Sequence, residues 1–133
     1  MNAAGIALDT TIAIRVGNHD SDVIAWLRGF PQVFLPVVAL AELRFGAENS
    51  GRPDENLATV EEIAARCPIL IADEAVAREW ASLKAHLRRT STPIPDNDLW
   101  IAAICRVNDL PVATFDRHFA SVPNLVALAP MTS

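Results

Sequence analysis

Gly5-Ile6-Ala7-Leu8-Asp9-Thr10-Thr11-Ile12-Ala13-Ile14-Arg15-Val16 sets the architecture of the chain. A short apolar strand, Gly5–Asp9, ends on an acid and passes at once into a short helix or helical turn, Thr10–Val16. Working outward, the same alternation recurs. Ser21–Gly29 reads as a helix capped by Asp20 or Ser21 and stopped by Gly29. Val33–Leu35 is a strand, and Pro36 sits near a helix start, where proline is tolerated. Val37–Glu48 continues as a helix. Asn49–Asp54, with Gly51 and Pro53, is a loop. Glu55–Arg66 is a helix with an apolar stripe at Leu57, Val60, Ile63 and Ala64, and Ile69–Ala72 is a strand. In Glu74–Arg89, Val76, Trp80, Leu83 and Leu87 follow helical spacing. Thr90–Pro95 is a loop. Asn97–Val107 is a helix apolar on nearly every side, and so central. Pro111–Thr114 is a strand, Asp116–Ala120 a turn or short helix and Leu125–Leu128 a last strand. This order predicts an α/β sandwich on a mostly parallel sheet, with residues 1–133 as one domain. Such sheets bind ligands beyond the carboxyl ends of their strands, where strand order reverses. Asp9 and Asp116 both fall at or just past strand ends.

The bulk composition agrees with a packed domain. At 133 residues the chain is long enough for a proper core, and 51% hydrophobic against 20% charged residues excludes a disordered chain. No apolar stretch reaches bilayer length, and Met1–Asp9 lacks the basic start of a signal peptide. A cytoplasmic location is the expectation. Cys67 and Cys105 form no C-x-x-C pair and read as buried free thiols, not a disulfide or zinc site. The net charge of −5 argues against a surface that coats nucleic acid, yet leaves room for a nuclease whose site is itself acidic.

Four acids stand in or beside apolar runs: Asp9, Glu42, Asp98 and Asp116. A carboxylate rarely sits there unless something positive meets it. Taken singly, Asp9, Asp98 and Asp116 each read as a cap. Glu42 does not, because the only other charge between Leu35 and Ala47 is Arg44. Two residues are about 200° apart on a helix, so Arg44 points away. A salt bridge from elsewhere in the fold is the simple alternative. Asp96 could be the N-cap of its helix, leaving Asp98 free in the first turn. Four carboxylates gathered at one sheet edge would repel each other, and a bound cation would relieve that. All the donors are hard oxygens, with no histidine suitably interleaved, which points to Mg²⁺ or Mn²⁺ and not zinc.

The segments Ala7-Leu8-Asp9-Thr10, Leu40-Ala41-Glu42-Leu43-Arg44-Phe45-Gly46-Ala47, Asn97-Asp98-Leu99-Trp100-Ile101-Ala102-Ala103 and Ala113-Thr114-Phe115-Asp116-Arg117-His118-Phe119 resemble the four acidic motifs of PIN-domain ribonucleases, in order and spacing. In size the chain resembles the VapC-type toxins of bacterial toxin–antitoxin pairs. The resemblance implies a three-layer α/β/α sandwich in which Asp9, Glu42, Asp98 and Asp116 are both the catalytic residues and the ligands of Mg²⁺ or Mn²⁺. The ion would acidify a water for in-line attack on RNA, leaving a 5′-phosphate and a 3′-hydroxyl. Thr10 and Thr114 match positions that often carry a hydroxyl beside the acids. No chemistry falls to His118, for which a structural or phosphate-contact role is expected. The resemblance also implies a homodimer and a cognate VapB-like antitoxin whose tail occupies the active-site groove.

Arg15, Arg44, Lys84, Arg88, Arg89 and Arg117 are candidates to guide RNA, with Lys84 and Arg88 on one helix face. Trp26, Trp80 and Trp100 read as core. The alternative function is a catalytically silent PIN-like module that binds RNA or a partner, against which the four intact acids argue. A phosphotransfer domain built on Asp9 would need a second acid where Thr11 stands. A dinucleotide-binding domain would need a G-x-G-x-x-G that is absent.

Overall fold

The computed structural model describes residues 5–131; the lead-in Met1–Ala4, read above as no signal peptide, lies outside them. The chain runs β1 (Ile6–Leu8), α1 (Thr10–Gly17), α2 (Ser21–Leu27), β2 (Val33–Pro36), α3 (Val37–Glu48), α4 (Pro53–Arg66), β3 (Ile69–Leu70), α5 (Glu74–Arg89), α6 (Asp96–Val107), β4 (Val112–Ala113), a 3-10 turn (Arg117–Ser121) and β5 (Ala127–Leu128). All strand pairs are parallel, in the order β3-β2-β1-β4-β5. The chain steps from β1 to β2 to β3 in one direction, then returns across the sheet to β4. Right-handed crossovers therefore put α1 to α4 on one face and α5 and α6 on the other. This is the expected α/β/α sandwich. The order reverses between β1 and β4, so the crevice beyond their carboxyl ends is where a ligand site forms. Asp9 follows β1 directly, and Thr114 to Asp116 follow β4.

β1 is buried along its whole length because it lies in the middle of the sheet with helices on both sides. This is why its sequence is a continuous apolar run and not an alternating one. α6 earns its uniform apolarity in the same way: Leu99, Ile101, Ala102, Ala103, Ile104 and Cys105 are all buried. The Trp80 and Trp100 rings stack at 4.9 Å and join α5 to α6. No helix among the described residues is long and apolar enough to cross a membrane.

Several boundaries differ from the sequence reading. α4 begins at Pro53, because proline at a helix's first position gives up an N–H that has no partner there anyway. α2 stops at Leu27, two residues before Gly29. Asp96 is the first residue of α6 and not its cap; Pro95 holds the cap position. β3, β4 and β5 are each two residues long, shorter than the runs Ile69–Ala72, Pro111–Thr114 and Leu125–Leu128 that marked them. Cys105 is buried as expected, but Cys67, at the end of α4, is only half-buried.

Gly5 fixes the approach of β1 to β2. Its φ is +142°, and a Cβ there would stand 1.9 Å from the Gln32 carbonyl oxygen. Gln32 O accepts the Ile6 N–H at 3.0 Å, so the carbonyl cannot retreat without loosening the sheet. Gly5→Ala is expected to cost at least about 2 kcal/mol, from strain plus the displaced strand. Urea denaturation checks this, and an unchanged midpoint would contradict it.

Candidate metal centre

Asp9 sits in the cap position of α1 but does not cap it: no backbone N–H of the helix bonds its side chain. Its Oδ2 instead accepts two hydroxyls, Thr11 Oγ1 at 2.8 Å and Thr114 Oγ1 at 2.7 Å. Neither hydroxyl occupies Oδ1. The residue is only 2% exposed. Both threonines also brace the end of β4, Thr11 from across the sheet and Thr114 from within it. Thr11 Oγ1 accepts the Phe115 N–H at 3.1 Å, and Thr114 Oγ1 accepts the Asp116 N–H at 2.8 Å. One network therefore ties the ends of β1 and β4 together and orients Asp9 within it. Thr114 was expected in such a role. Thr11 was missed, having been read only as the place where a second acid is lacking.

Among the described residues Glu42 has no salt bridge. Thr10 Oγ1 donates to its Oε1 at 2.7 Å and Asn97 Nδ2 to its Oε2 at 3.3 Å. Arg44 turns away, as the helical angle requires, and pairs with Glu61. Glu42 is thereby linked to both neighbours of the other acids: Thr10 follows Asp9 and Asn97 precedes Asp98.

Asp98 is the third residue of α6, in the first turn, where the helix dipole favours a negative charge. Asp116 caps the 3-10 turn by accepting the His118 N–H at 2.9 Å, so its capping reading is correct but incomplete. The same turn swings His118 back over the acids. Its Nδ1 lies 2.9 Å from Asp98 Oδ2 and 2.9 Å from Asp116 Oδ1. Ligand atoms of these three residues all lie within 4.8 Å of one another. The expectation that no histidine is interleaved with the acids is therefore wrong, because a tight turn after β4 brings residue 118 level with residue 116. The signal was present in the sequence as an Asp-x-His at a strand end.

Asp9 and Glu42 do not join that tight group of three: Asp9 acts on Asp98 through its charge, and Glu42 is tied to α6 through Asn97. The charges of Asp9 and Asp116 both act on Asp98. Burial pushes the Asp98 carboxyl above its ordinary value, the His118 hydrogen bond opposes this, and the negative charges of Asp9 and Asp116 push it up further. The hydrogen bond to Asp98 raises His118 in turn, partly offset by burial and helped by the nearby Asp116 charge. Burial holds the Cys105 thiol up at about 12, with the Asp9 charge acting in the same direction, so this cysteine is no nucleophile.

These donors fit a divalent cation. Among the described residues no arginine or lysine pairs with Asp9, Glu42, Asp98 or Asp116, and His118 is the one basic group within ion-pair distance of any of them. Asp9 is a buried carboxylate served by hydroxyls alone. One imidazolium offsets at most one of four negative charges, and an ion of charge two would offset two more.

The candidate RNA-guiding cations are dispersed around this centre. Arg15 pairs with Asp20 at 3.0 Å and lies 4.8 Å over the Phe115 ring, next to Asp116. Lys84 pairs with Asp96 at 2.9 Å and sits 4.9 Å over Trp80. Lys84, Arg88 and Asp96 line one cavity of about 280 Å³ at the start of α6. Arg88, Arg89 and Arg117 are exposed. Arg44, engaged with Glu61, is the least suited.

Residues 6–125 match the PIN domain. Ribonuclease VapC5 of Mycobacterium tuberculosis (strain ATCC 25618 / H37Rv) is 40% identical over 125 residues, covering 90% of this chain and 88% of that one. Ribonuclease VapC4 of the same organism is 36% identical over 130 residues, or 94% and 96% of the two chains. Among solved structures, a chain of the DNA-bound VapBC complex from Salmonella typhimurium superposes with a TM-score of 0.88 at 27% identity, covering 94% of this chain and 97% of that one. Fold, acid cluster and sequence thus agree that the chain belongs to the PIN-domain family, where it stands with the VapC ribonucleases.

Proposed function

We propose that the chain is a metal-dependent endoribonuclease, the toxin of a type II toxin–antitoxin pair, and that it hydrolyses RNA phosphodiester bonds as a single catalytic domain. The observation that carries this reading is the buried Asp9 carboxylate at the sheet's reversal point, its charge acting on Asp98, with no basic side chain among the described residues paired to it. Asp9, Glu42, Asp98 and Asp116 are the assigned metal ligands and catalytic residues, and Mg²⁺ or Mn²⁺ is the assigned ion. When bound, the ion supplies Lewis acidity and positive charge at the scissile phosphate. The chain does the positioning. Thr11 and Thr114 fix the rotamer of Asp9, and Thr10 and Asn97 fix that of Glu42. Such supporting contacts set the orientation of ligands. Lys84 and Arg88 lie on the approach to the start of α6, placed to receive an RNA backbone.

The antitoxin partner fits a second feature. A cleft of about 270 Å³ between α1, α3 and α4 is lined by Ile14, Leu43 and Val60, with Glu42 at its edge. Exposed Ile14 and Phe45 extend its apolar character. An antitoxin segment with an apolar face and a basic side chain would cover the first and neutralise the second.

The purified chain is expected to cut single-stranded RNA in Mg²⁺ or Mn²⁺, yielding 5′-phosphate ends. Cleavage should stop with a chelator and return when the ion is restored. Cleavage that survives chelation would exclude the metal mechanism. RNA retention with no cleavage under any ion would instead identify a binding module.

A further inference from the structure

His118 stands where a metal ligand would stand. Resting on the reading of the acids as a cation site, we infer that His118 coordinates the same ion through Nδ1 and turns the site's preference from Mg²⁺ toward Mn²⁺. The argument begins with distances. Nδ1 is 2.9 Å from one oxygen of Asp98 and 2.9 Å from one oxygen of Asp116. A six-coordinate ion with bonds of about 2.1 Å holds adjacent ligand atoms about 3.0 Å apart. The two spacings therefore match three ligands on neighbouring positions of one octahedron.

A hydrogen-bond account explains these contacts less well. One bond at 2.9 Å is ordinary, but a ring nitrogen carries at most one hydrogen, which two carboxylates can share only as a weaker three-centre bond. One cation touching all three atoms satisfies all three. The ring is also held in place. The His118 N–H is bonded to Asp116 Oδ1, and the next residue, Phe119, is fully buried. His118 is itself about half exposed, so no burial requirement keeps it there.

The chemical consequence concerns selectivity. Mg²⁺ takes oxygen donors and is reluctant to exchange its waters for nitrogen. First-row transition ions accept imidazole readily. A site of carboxylates alone separates Mg²⁺ from Mn²⁺ weakly, whereas one nitrogen widens the difference.

The test is calorimetric titration of the full chain with Mn²⁺ and, separately, Mg²⁺, for wild type, His118→Ala and His118→Asn. Pulsed EPR of the bound Mn²⁺ accompanies it. Wild type should favour Mn²⁺ by about tenfold or more and show nitrogen coupling from a bound imidazole. His118→Ala should lose about tenfold in Mn²⁺ affinity and much less in Mg²⁺ affinity, and the coupling should vanish. His118→Asn, which offers an oxygen donor of similar reach, should bind both ions with little preference. A mere charge partner predicts the opposite sign, since removing a cation would tighten both ions equally. Tightening of both ions in His118→Ala, or a wild type whose Mn²⁺ shows no nitrogen coupling, overturns the ligand role and leaves the nuclease reading intact. A wild type that binds neither ion overturns both.

Discussion

Asp9→Asn is expected to lose RNA cleavage by at least about a hundredfold while keeping its fold. The size follows from position. Removing a group that only supports a metal ligand costs about 10- to 100-fold, so removing a ligand's charge should cost no less. Retention of the fold follows from the hydrogen bonds. Thr11 and Thr114 both donate to Oδ2, and an asparagine can present its carbonyl oxygen at that point and accept both. Its amide then occupies the place of Oδ1, where it can no longer hold a cation. The substitution also removes one negative charge from a cluster that acts on Asp98, so the metal-free protein should melt no lower than wild type. A thermal melt beside a cleavage time course provides both readings. Full Mg²⁺-dependent cleavage by a folded Asp9→Asn protein would remove Asp9 from the site. A collapsed melting temperature would make Asp9 a structural residue.

That combination, a group costly to the fold and necessary to the chemistry, also explains which parts of the site could be read from sequence. Asp9 and Asp116 were legible because strand ends in a parallel sheet are where ligands bind, and the strand runs were plain. Glu42 was legible because its helix carries no suitable counter-charge, and the structure agrees that Arg44 serves Glu61 instead. The partners of the acids were harder. Thr11 and Asn97 are ordinary polar residues beside the acids, and nothing in their spacing says which way they point. Their roles arise from contacts across the sheet, such as Thr11 with Phe115, 104 positions apart in the chain. The fold shows the same division. The six helices follow from periodicity, with ends displaced by at most two residues. Strand lengths did not follow: β3, β4 and β5 are each two residues long, shorter than the runs that marked them, and one-sided pairing accounts only for the edge strands β3 and β5.

Phe119→Ala is expected to have the largest effect on stability and to carry the metal site with it. Phe119 is fully buried at the centre of the 3-10 turn and is the largest of the fully buried side chains. Truncating a buried phenylalanine costs about 3–5 kcal/mol, from lost transfer energy and the cavity left behind. For a domain of this size that corresponds to a fall in melting temperature on the order of 10 °C. The local consequence is more informative. The turn that Phe119 anchors carries Asp116 at its cap and His118 beside it, and the Val122 N–H bonds the Phe119 carbonyl at 3.1 Å to close it. With the ring gone, the turn keeps the smaller Val122 side chain, at its C-terminal cap, as a buried apolar anchor. Asp116 and His118 should then sample positions away from Asp98, and Mn²⁺ affinity should drop even at temperatures where circular dichroism shows a folded protein. Phe119→Leu, which keeps most of the buried volume, should recover both properties together. Joint loss and joint recovery would mean that the core holds the turn and the turn holds the ligands. Loss of stability with Mn²⁺ affinity unchanged would show that Asp116 and His118 are positioned by the metal itself, and the anchoring role of Phe119 would be withdrawn.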